Sequence, residues 1–240
     1  MHSETSTRRR FLATFGVAGT GLLIAPALAV AADKSGEKAR EKEQPVTANE
    51  DLMREHGIIR RALLVYAEAA RRIRDATASL PLAALADTAT LFRSFAEDYH
   101  ERALEETHIF PVVRRLKTPV AKLPDILTAQ HQRGREITDF VLRVGRRGTL
   151  GTDGAALATA LQGFVRMYDP HADREDTEVF PAWKSALGAH GYEEMGERFE
   201  EIEHRTFGGD GFDEALARIA AIEATFGLAD LAAVTPPPPG

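Results

Sequence analysis

The sequence predicts an all-α protein, an up-down-up-down four-helix bundle followed by two short C-terminal helices. Ala, Leu, Glu and Arg dominate the composition, and these residue types favour helix over sheet. Apolar residues recur at alternating spacings of three and four along several long segments, which indicates helices with one buried face. Proline- and glycine-containing stretches separate these segments by short connections, which is typical of neighbouring antiparallel helices.

The apolar stripes define the individual helices. The first stripe runs from Leu52 to Ile73, and the fourth runs from Leu157 to Glu175. Pro170 lies inside the fourth helix and is expected to kink it or restart it. The bundle helices are predicted at about 47–79, 82–116, 125–146 and 153–187, and the short helices at about 191–206 and 211–227.

The N-terminus has the pattern of an export signal. Arg8 and Arg9 precede Phe11-Leu12 and an apolar run that ends near Ala32 in small-residue cleavage candidates. The Arg pair resembles a twin-arginine signal, which exports folded proteins, although an ordinary secretory signal or a retained anchor stays open. We expect a periplasmic or otherwise exported protein. Its parts are a signal peptide at 1–31, a charged linker at 32–46, the bundle at 47–188, a helical extension at 189–228 and a Pro-rich tail at 229–240.

Composition excludes several classes of function. The net charge of −6 argues against nucleic acid as a partner. Without cysteine the chain has no disulfides, thiolate zinc sites or iron–sulfur clusters, so a metal would need His and carboxylate ligands. No phosphate-binding loop or nucleophile elbow occurs, which favours a metal-binding protein over a dedicated enzyme. We expect no stable membrane insertion after signal cleavage, and the oligomeric state is open.

Two segments seventy residues apart share one pattern of histidine and glutamate. In each, a glutamate lies six residues before the proline of a Phe-Pro pair, and a histidine lies about one turn before the glutamate. A lone histidine also lies on the apolar stripe of the helix that precedes each segment. The residues of this pattern are His56, His100, Glu105, His131, His171 and Glu175.

The two His/Glu pairs differ in spacing. His171 and Glu175 are four residues apart, about 40° on the helical wheel, so both can reach one site. His100 and Glu105 are five apart, about 140°, which would separate them on a regular helix. A π-bulge would bring them to the same side. The alternative is that Glu101, next to His100, is the carboxylate ligand.

Four inward histidines with two carboxylates predict a metal site. A buried carboxylate without a partner costs several kcal/mol, and metal ions would neutralise the charge while binding the imidazole nitrogens. Histidine and carboxylate ligands without thiolate suit iron, manganese or zinc. Two carboxylates beside four histidines suit a two-metal site that the carboxylates bridge.

This pattern resembles the hemerythrin-like (HHE cation-binding) family over about residues 48–187. The resemblance implies a non-haem di-iron centre with bridging carboxylates, with manganese or zinc less favoured. It also implies a function in binding or sensing O2 or NO, or in iron handling. Oxygen-carrying members place two histidines on the third helix, whereas this chain has Leu127 and Arg135 around its single His131. One iron is therefore expected to have an open or water-filled position. His204 could replace the missing ligand, or it could be a surface residue.

Two other functions remain open at this stage. Glu97-x-x-His100 and Glu201-x-x-His204 match the Glu-x-x-His pattern of ferritin-like di-iron oxidases and iron-storage proteins. The chain could also be a metal-free helical interaction module whose histidines are ordinary core residues.

Overall fold

Helices dominate the computed structural model, which describes residues 46–75 and 79–239. Within these two ranges there is no β-strand, so the all-α prediction is confirmed. The predicted signal peptide and the linker up to residue 45 lie outside the described residues. Among the helices that the structure does describe, none combines the length and the apolar character needed to span a membrane.

The first half of the chain forms helices α1 and α2. Helix α1 spans Ala48–Asp75, and α2 is continuous over 82–113. The middle of α2 is π-helical, with i→i+5 backbone hydrogen bonds, so residues five apart face the same side. The three parts of α2 are Leu82–Leu91, Phe92–Ile109 and Phe110–Val113.

The second half begins with helix α3, Leu123–Arg147, which a 3₁₀ turn at Pro119–Lys122 introduces. Helix α4 covers 154–187, and its middle segment Glu175–Val179 is again π-helical. Helix α5 covers 189–207, and α6 spans Gly211–Phe226.

Helix α4 runs through Pro170 without interruption, contrary to the expected restart. Proline removes one backbone donor, and the buried neighbours Tyr168 and His171 hold the helix in place on both sides. The break lies instead at Gly188, whose φ of 68° and ψ of 179° are non-helical and disfavour a side chain. This break separates α4 from α5.

The helices pack so that each of the first four has two neighbours among the others. Helix α1 lies along α4, α2 lies along α3, and contacts between α1 and α2 and between α3 and α4 complete the set. Helix α6 covers α1 and α2 with buried Ile219, Ile222 and Phe226. The interior between the first four helices therefore holds the inward histidines and glutamates.

An aromatic cluster fills the core beside those polar residues. The ring of Phe164 lies 5.5 Å from that of Tyr66, 5.0 Å from Phe92 and 4.8 Å from Tyr168. Gly134 allows α3 to approach this cluster, because a Cβ atom there would be 3.1 Å from both the Phe164 ring and the Tyr168 hydroxyl. The cluster fixes Tyr168, which contacts the site.

Candidate metal centre

The four histidines meet in two pairs in the interior. The Nε2 atoms of His56 and His100 are 2.9 Å apart, and those of His131 and His171 are 3.1 Å apart. All four side chains are buried. Two imidazole nitrogens that face each other at this distance need a proton or a cation between them. The pairs join α1 to α2 and α3 to α4, which is the division that the sequence repeat indicates.

Glu105 reaches one histidine of each pair. Its Oε1 lies 3.5 Å from His100 Nε2, and its Oε2 lies 3.4 Å from His131 Nε2. The π-helical backbone of α2 makes this possible, because it returns residue 105 to the side of residue 100. The π-helical geometry that the five-residue spacing requires is therefore present, over a longer segment than a single bulge.

Glu175 also lies between the two pairs. Its Oε2 is 3.1 Å from His171 Nε2 and 3.6 Å from His56 Nε2, and its Oε1 is 3.9 Å from His131 Nε2. The His171–Glu175 spacing is α-helical, as expected, but a π-helical segment begins at Glu175 itself. The second repeat is therefore not the regular one that its sequence suggests.

The carboxylate oxygens of Glu105 and Glu175 carry the strongest evidence for a cation site. Both side chains are buried, and none of the four oxygens has a hydrogen-bond partner among the described residues. A buried carboxylate that accepts no hydrogen bond must be balanced by a nearby positive charge, which protonated histidines or bound metal ions would supply here. Candidate ligand atoms within 4.8 Å of one another form three sets among the described residues. Two contain the inner glutamates, His56 with His100 and Glu105, and His131 with His171 and Glu175, and the third joins Glu101 and Glu106 to His131. The residues present thus fit the metal ions that their chemistry implies.

The charges of the site are strongly coupled. Burial acts most strongly on Glu175 and would raise its pKa, but the neighbouring histidines, His171 foremost, together outweigh it and the pKa falls to about 2. Burial and then the charge of Glu175 raise the pKa of Glu105. Burial acts to lower the pKa of His131, yet carboxylates, Glu101 foremost, raise it to about 9. The carboxylates Glu105 and Glu55 likewise raise the pKa of His100 against the effect of its burial. Without metal, His100 and His131 therefore keep protons that bound cations would have to displace.

Each of the four histidines has an outer hydrogen-bond partner on its Nδ1 atom. Such a partner fixes the ring and directs the Nε2 lone pair toward the centre. Every partner adjoins a ligand in the sequence and reaches the histidine of another helix, so the four bonds form a closed ring through the helices. The partners of His56, His100, His131 and His171 are Asp176 (2.7 Å), Glu55 (2.6 Å), Glu106 (2.9 Å) and Gln130 (2.9 Å).

Sequence analysis missed this outer ring. The signal that could have found it is the polar neighbour of each ligand, in the consecutive pairs Glu55-His56, Glu105-Glu106, Gln130-His131 and Glu175-Asp176. Such neighbours point about 100° away from the ligand on a helix, and only the helix packing shows which histidine each one meets.

Glu101 is engaged by other groups. One of its oxygens pairs with Arg135 Nη2 at 3.0 Å, and the other accepts a hydrogen bond from the Tyr168 hydroxyl. Arg135 Nη2 also bonds to Glu106 at 2.7 Å. The geometry therefore favours Glu105 over Glu101 as the inner carboxylate. Leu127 is buried and apolar, and Arg135 is a cation, so neither adds a metal-binding nitrogen to His131 on α3.

The structure does not bring His204 to the centre. Its side chain is exposed on α5, while its neighbour Glu203 is buried and accepts a hydrogen bond from the backbone N–H of Phe212. The side chain of α5 that faces inward at this point is therefore that of Glu203, not that of His204. We therefore remove His204 from the set of candidate ligands.

The Glu-x-x-His glutamates of the ferritin-like alternative are not brought together either. Glu201 is exposed on α5. Glu97 is buried, but it accepts a hydrogen bond from Thr138 at 2.6 Å and pairs with Arg93 at 2.9 Å. Burial raises the pKa of Glu97 to about 7. These contacts give no support to a site built on Glu97 and Glu201.

Comparison with known proteins agrees with the chemistry of the site. Residues 47–183 match the model of the hemerythrin HHE cation binding domain. Uncharacterized proteins of Mycobacterium tuberculosis (Rv1995) and Mycobacterium bovis (Mb2018) are each 39% identical over 237 residues, covering 95% of this chain and 91% of the relative. No solved structure matches the chain. Because the family model covers more than half of the residues, the chain belongs to the hemerythrin HHE cation-binding family.

Proposed function

We propose that this protein is an exported non-haem di-iron protein that binds O2 or NO inside an up-down-up-down four-helix bundle. The observation that carries the proposal is the set of four buried carboxylate oxygens between two histidine pairs, none of which accepts a hydrogen bond from the part of the chain that the structure describes. Metal binding itself is what the family assignment supports. The number of ions, their identity and the bound gas are the proposed part.

Each ion would be held by one histidine pair and share both glutamates. His56 and His100 would hold one ion, His131 and His171 the other, and Glu105 and Glu175 would lie between them. Four neutral nitrogens and two carboxylates without thiolate suit iron better than softer metals, with manganese or zinc as weaker candidates. When bound, two irons would supply a redox-active site for a small diatomic ligand.

The protein's own contribution is to orient the ligands and exclude water. The outer partners hold each imidazole with Nε2 directed inward. Phe110 stacks 5.5 Å from His131, and Phe180 stacks 5.4 Å from His56, so apolar rings shield both pairs. Leu127 and Arg135 lie four residues to either side of His131 on α3, the two places where the resemblance to oxygen-carrying members would allow a second histidine. We propose that this leaves one coordination position for the small molecule.

Iron reconstitution tests the proposal. Metal-stripped protein is reconstituted anaerobically with Fe(II), and iron per chain is measured before O2 is added under optical spectroscopy. We expect two irons per chain and a charge-transfer band that reverses when O2 is removed. Irreversible oxidation with turnover would instead indicate an oxidase or iron handling. Protein that stays free of iron, with stability unaffected by a chelator, would contradict the proposal.

Export is the second part of the proposal, and the N-terminal sequence supports it. Twin-arginine export carries a folded protein, so iron loaded in the cytoplasm could leave inside the bundle. Replacing Arg8 and Arg9 together by Lys should retain the protein in the cytoplasm in cell fractionation. Arg40→Lys, in the charged linker, is the control and should not alter export. Unchanged export of the double variant would exclude the twin-arginine route.

A further inference from the structure

The outer ring of hydrogen bonds follows the same repeat as the ligands. Glu55 and Gln130 each stand one residue before the lone histidine of their half. Glu106 and Asp176 each stand one residue after the inner glutamate. The ring can therefore be compared position by position between the two halves.

The partners that follow the inner glutamates are equivalent. Asp176 binds His56 and also pairs with Arg60 at 2.7 Å. Glu106 binds His131 and also pairs with Arg135 at 2.7 Å. In both halves one histidine thus has a carboxylate partner whose charge an arginine partly neutralises.

The partners that precede the lone histidines differ. Glu55 is buried, accepts from His100 Nδ1 at 2.6 Å, and takes a second hydrogen bond from the neutral hydroxyl of Tyr99 at 3.0 Å. Its counterpart Gln130 offers an uncharged amide oxygen to His171 Nδ1 at 2.9 Å. At this position the two halves therefore differ by one full negative charge.

This difference acts directly on ligand strength. A carboxylate that accepts from Nδ1–H makes the imidazole a stronger electron donor to a cation at Nε2, whereas an amide oxygen does so less. Loss of such an outer partner typically changes metal affinity about 10- to 100-fold. We propose that the two ions bind unequally, first and more tightly between His56 and His100, and that Gln130 sets the weaker affinity between His131 and His171. The inference rests on the proposed two-ion centre.

Stepwise metal titration of two charge-swap variants tests this assignment. The metal-stripped protein is titrated anaerobically with Fe(II) in a calorimeter, and the wild type should show two steps at least about tenfold apart in affinity. Gln130→Glu should strengthen the second step about tenfold or more and leave the first unchanged. Glu55→Gln should weaken the first step by a similar factor. Gln132→Glu, the same change at an exposed site on the same helix, should alter neither step.

Every outcome of the titration bears on a stated claim. Circular dichroism identifies a variant that fails to fold, in which case the other variant carries the test. Two wild-type steps that differ only by the statistics of identical sites would overturn the inference, as would Gln130→Glu acting on the first step or on neither. Absence of any Fe(II) binding by the wild type would instead overturn the proposed function.

Discussion

Replacing Glu105 by Gln should change stability in opposite directions with and without metal. In the metal-free protein, both Glu105 oxygens are buried beside Glu175 and have no hydrogen-bond partner among the described residues. A neutral amide of nearly the same shape removes the cost of that charge. In the loaded protein, the same change removes a ligand that contacts both histidine pairs.

The expected magnitudes follow from the burial. An unsatisfied buried polar group costs about 1–3 kcal/mol, and more when it is charged, so metal-free Glu105→Gln should gain at least about 1 kcal/mol in unfolding free energy. A bound ion at 100 times its Kd stabilises the wild type by about 2.7 kcal/mol. A variant that binds about 100-fold more weakly keeps only about 0.4 kcal/mol of that gain at the same concentration. Metal should therefore raise the wild-type Tm by about 5–10 °C per ion and that of the variant by about 2 °C or less.

Thermal unfolding with chelator and with anaerobic Fe(II) measures both effects. Glu136→Gln, an exposed change on α3, is the control and should leave both midpoints near those of the wild type. Glu101→Gln is the informative comparison. Because Glu101 already pairs with Arg135 and Tyr168, breaking that pair should destabilise the protein with and without metal, by about 3–5 kcal/mol.

A Glu105→Gln variant that loses stability under chelator would contradict the prediction, because the Glu105 carboxylate would then be stabilised in some other way. Uptake of iron by that variant equal to that of the wild type would also contradict it. If instead Glu101→Gln stabilised the metal-free protein and destabilised the metal-loaded protein, Glu101 would be the inner carboxylate.

Three further predictions follow from the pKa shifts and from the exposed histidine. Because the pKa of His131 is raised to about 9, metal must displace its proton below that pH, and affinity in a competitive chelator titration should rise steadily from about pH 6 to 9; a flat profile would contradict this. Burial raises the pKa of Glu97 from 4.5 to about 7, so its stability contribution is complete below pH 4.5 and is lost as pH rises through 7. Glu97→Gln should thus raise the unfolding free energy, measured by urea unfolding, by up to about 3 kcal/mol near pH 8 and by nothing near pH 4. Equal gains at both pH values would contradict a raised pKa for Glu97. His204→Ala should retain the wild-type iron content by elemental analysis, and a loss of iron would return His204 to the centre.

The candidate ligand residues could be selected from the sequence because their positions follow helical periodicity. His56 and His131 lie on apolar stripes, and the Phe-Pro landmarks align Glu105 with Glu175 despite the unequal spacing from their histidines. The extra residue between His100 and Glu105 also predicted π-helical geometry. The sequence could not show how far that geometry extends, because backbone hydrogen bonding over a whole segment depends on the packing of its neighbours.

The local continuation of helix α4 was harder to predict. Proline is an intrinsic helix breaker, and local rules place an interruption at Pro170. The buried side chains on both sides outweigh that local preference, and the break occurs at Gly188, where a positive φ is available without steric cost. The predicted end of this helix near residue 187 is confirmed, and tertiary packing decided only that Pro170 does not interrupt it.

By itself, the sequence determined the helical class, the two His/Glu repeats and the chemistry of a thiol-free metal site, since these depend on residue type and on spacing along a single helix. The tertiary structure decided what depends on the meeting of different helices. It paired the histidines, engaged Glu101 with Arg135 and turned His204 to solvent. It also left the Glu105 and Glu175 oxygens without a hydrogen bond from any residue in the described ranges. The reason is geometric: helical periodicity fixes which face a side chain occupies, whereas the rotation and packing of the neighbouring helix fix what it touches.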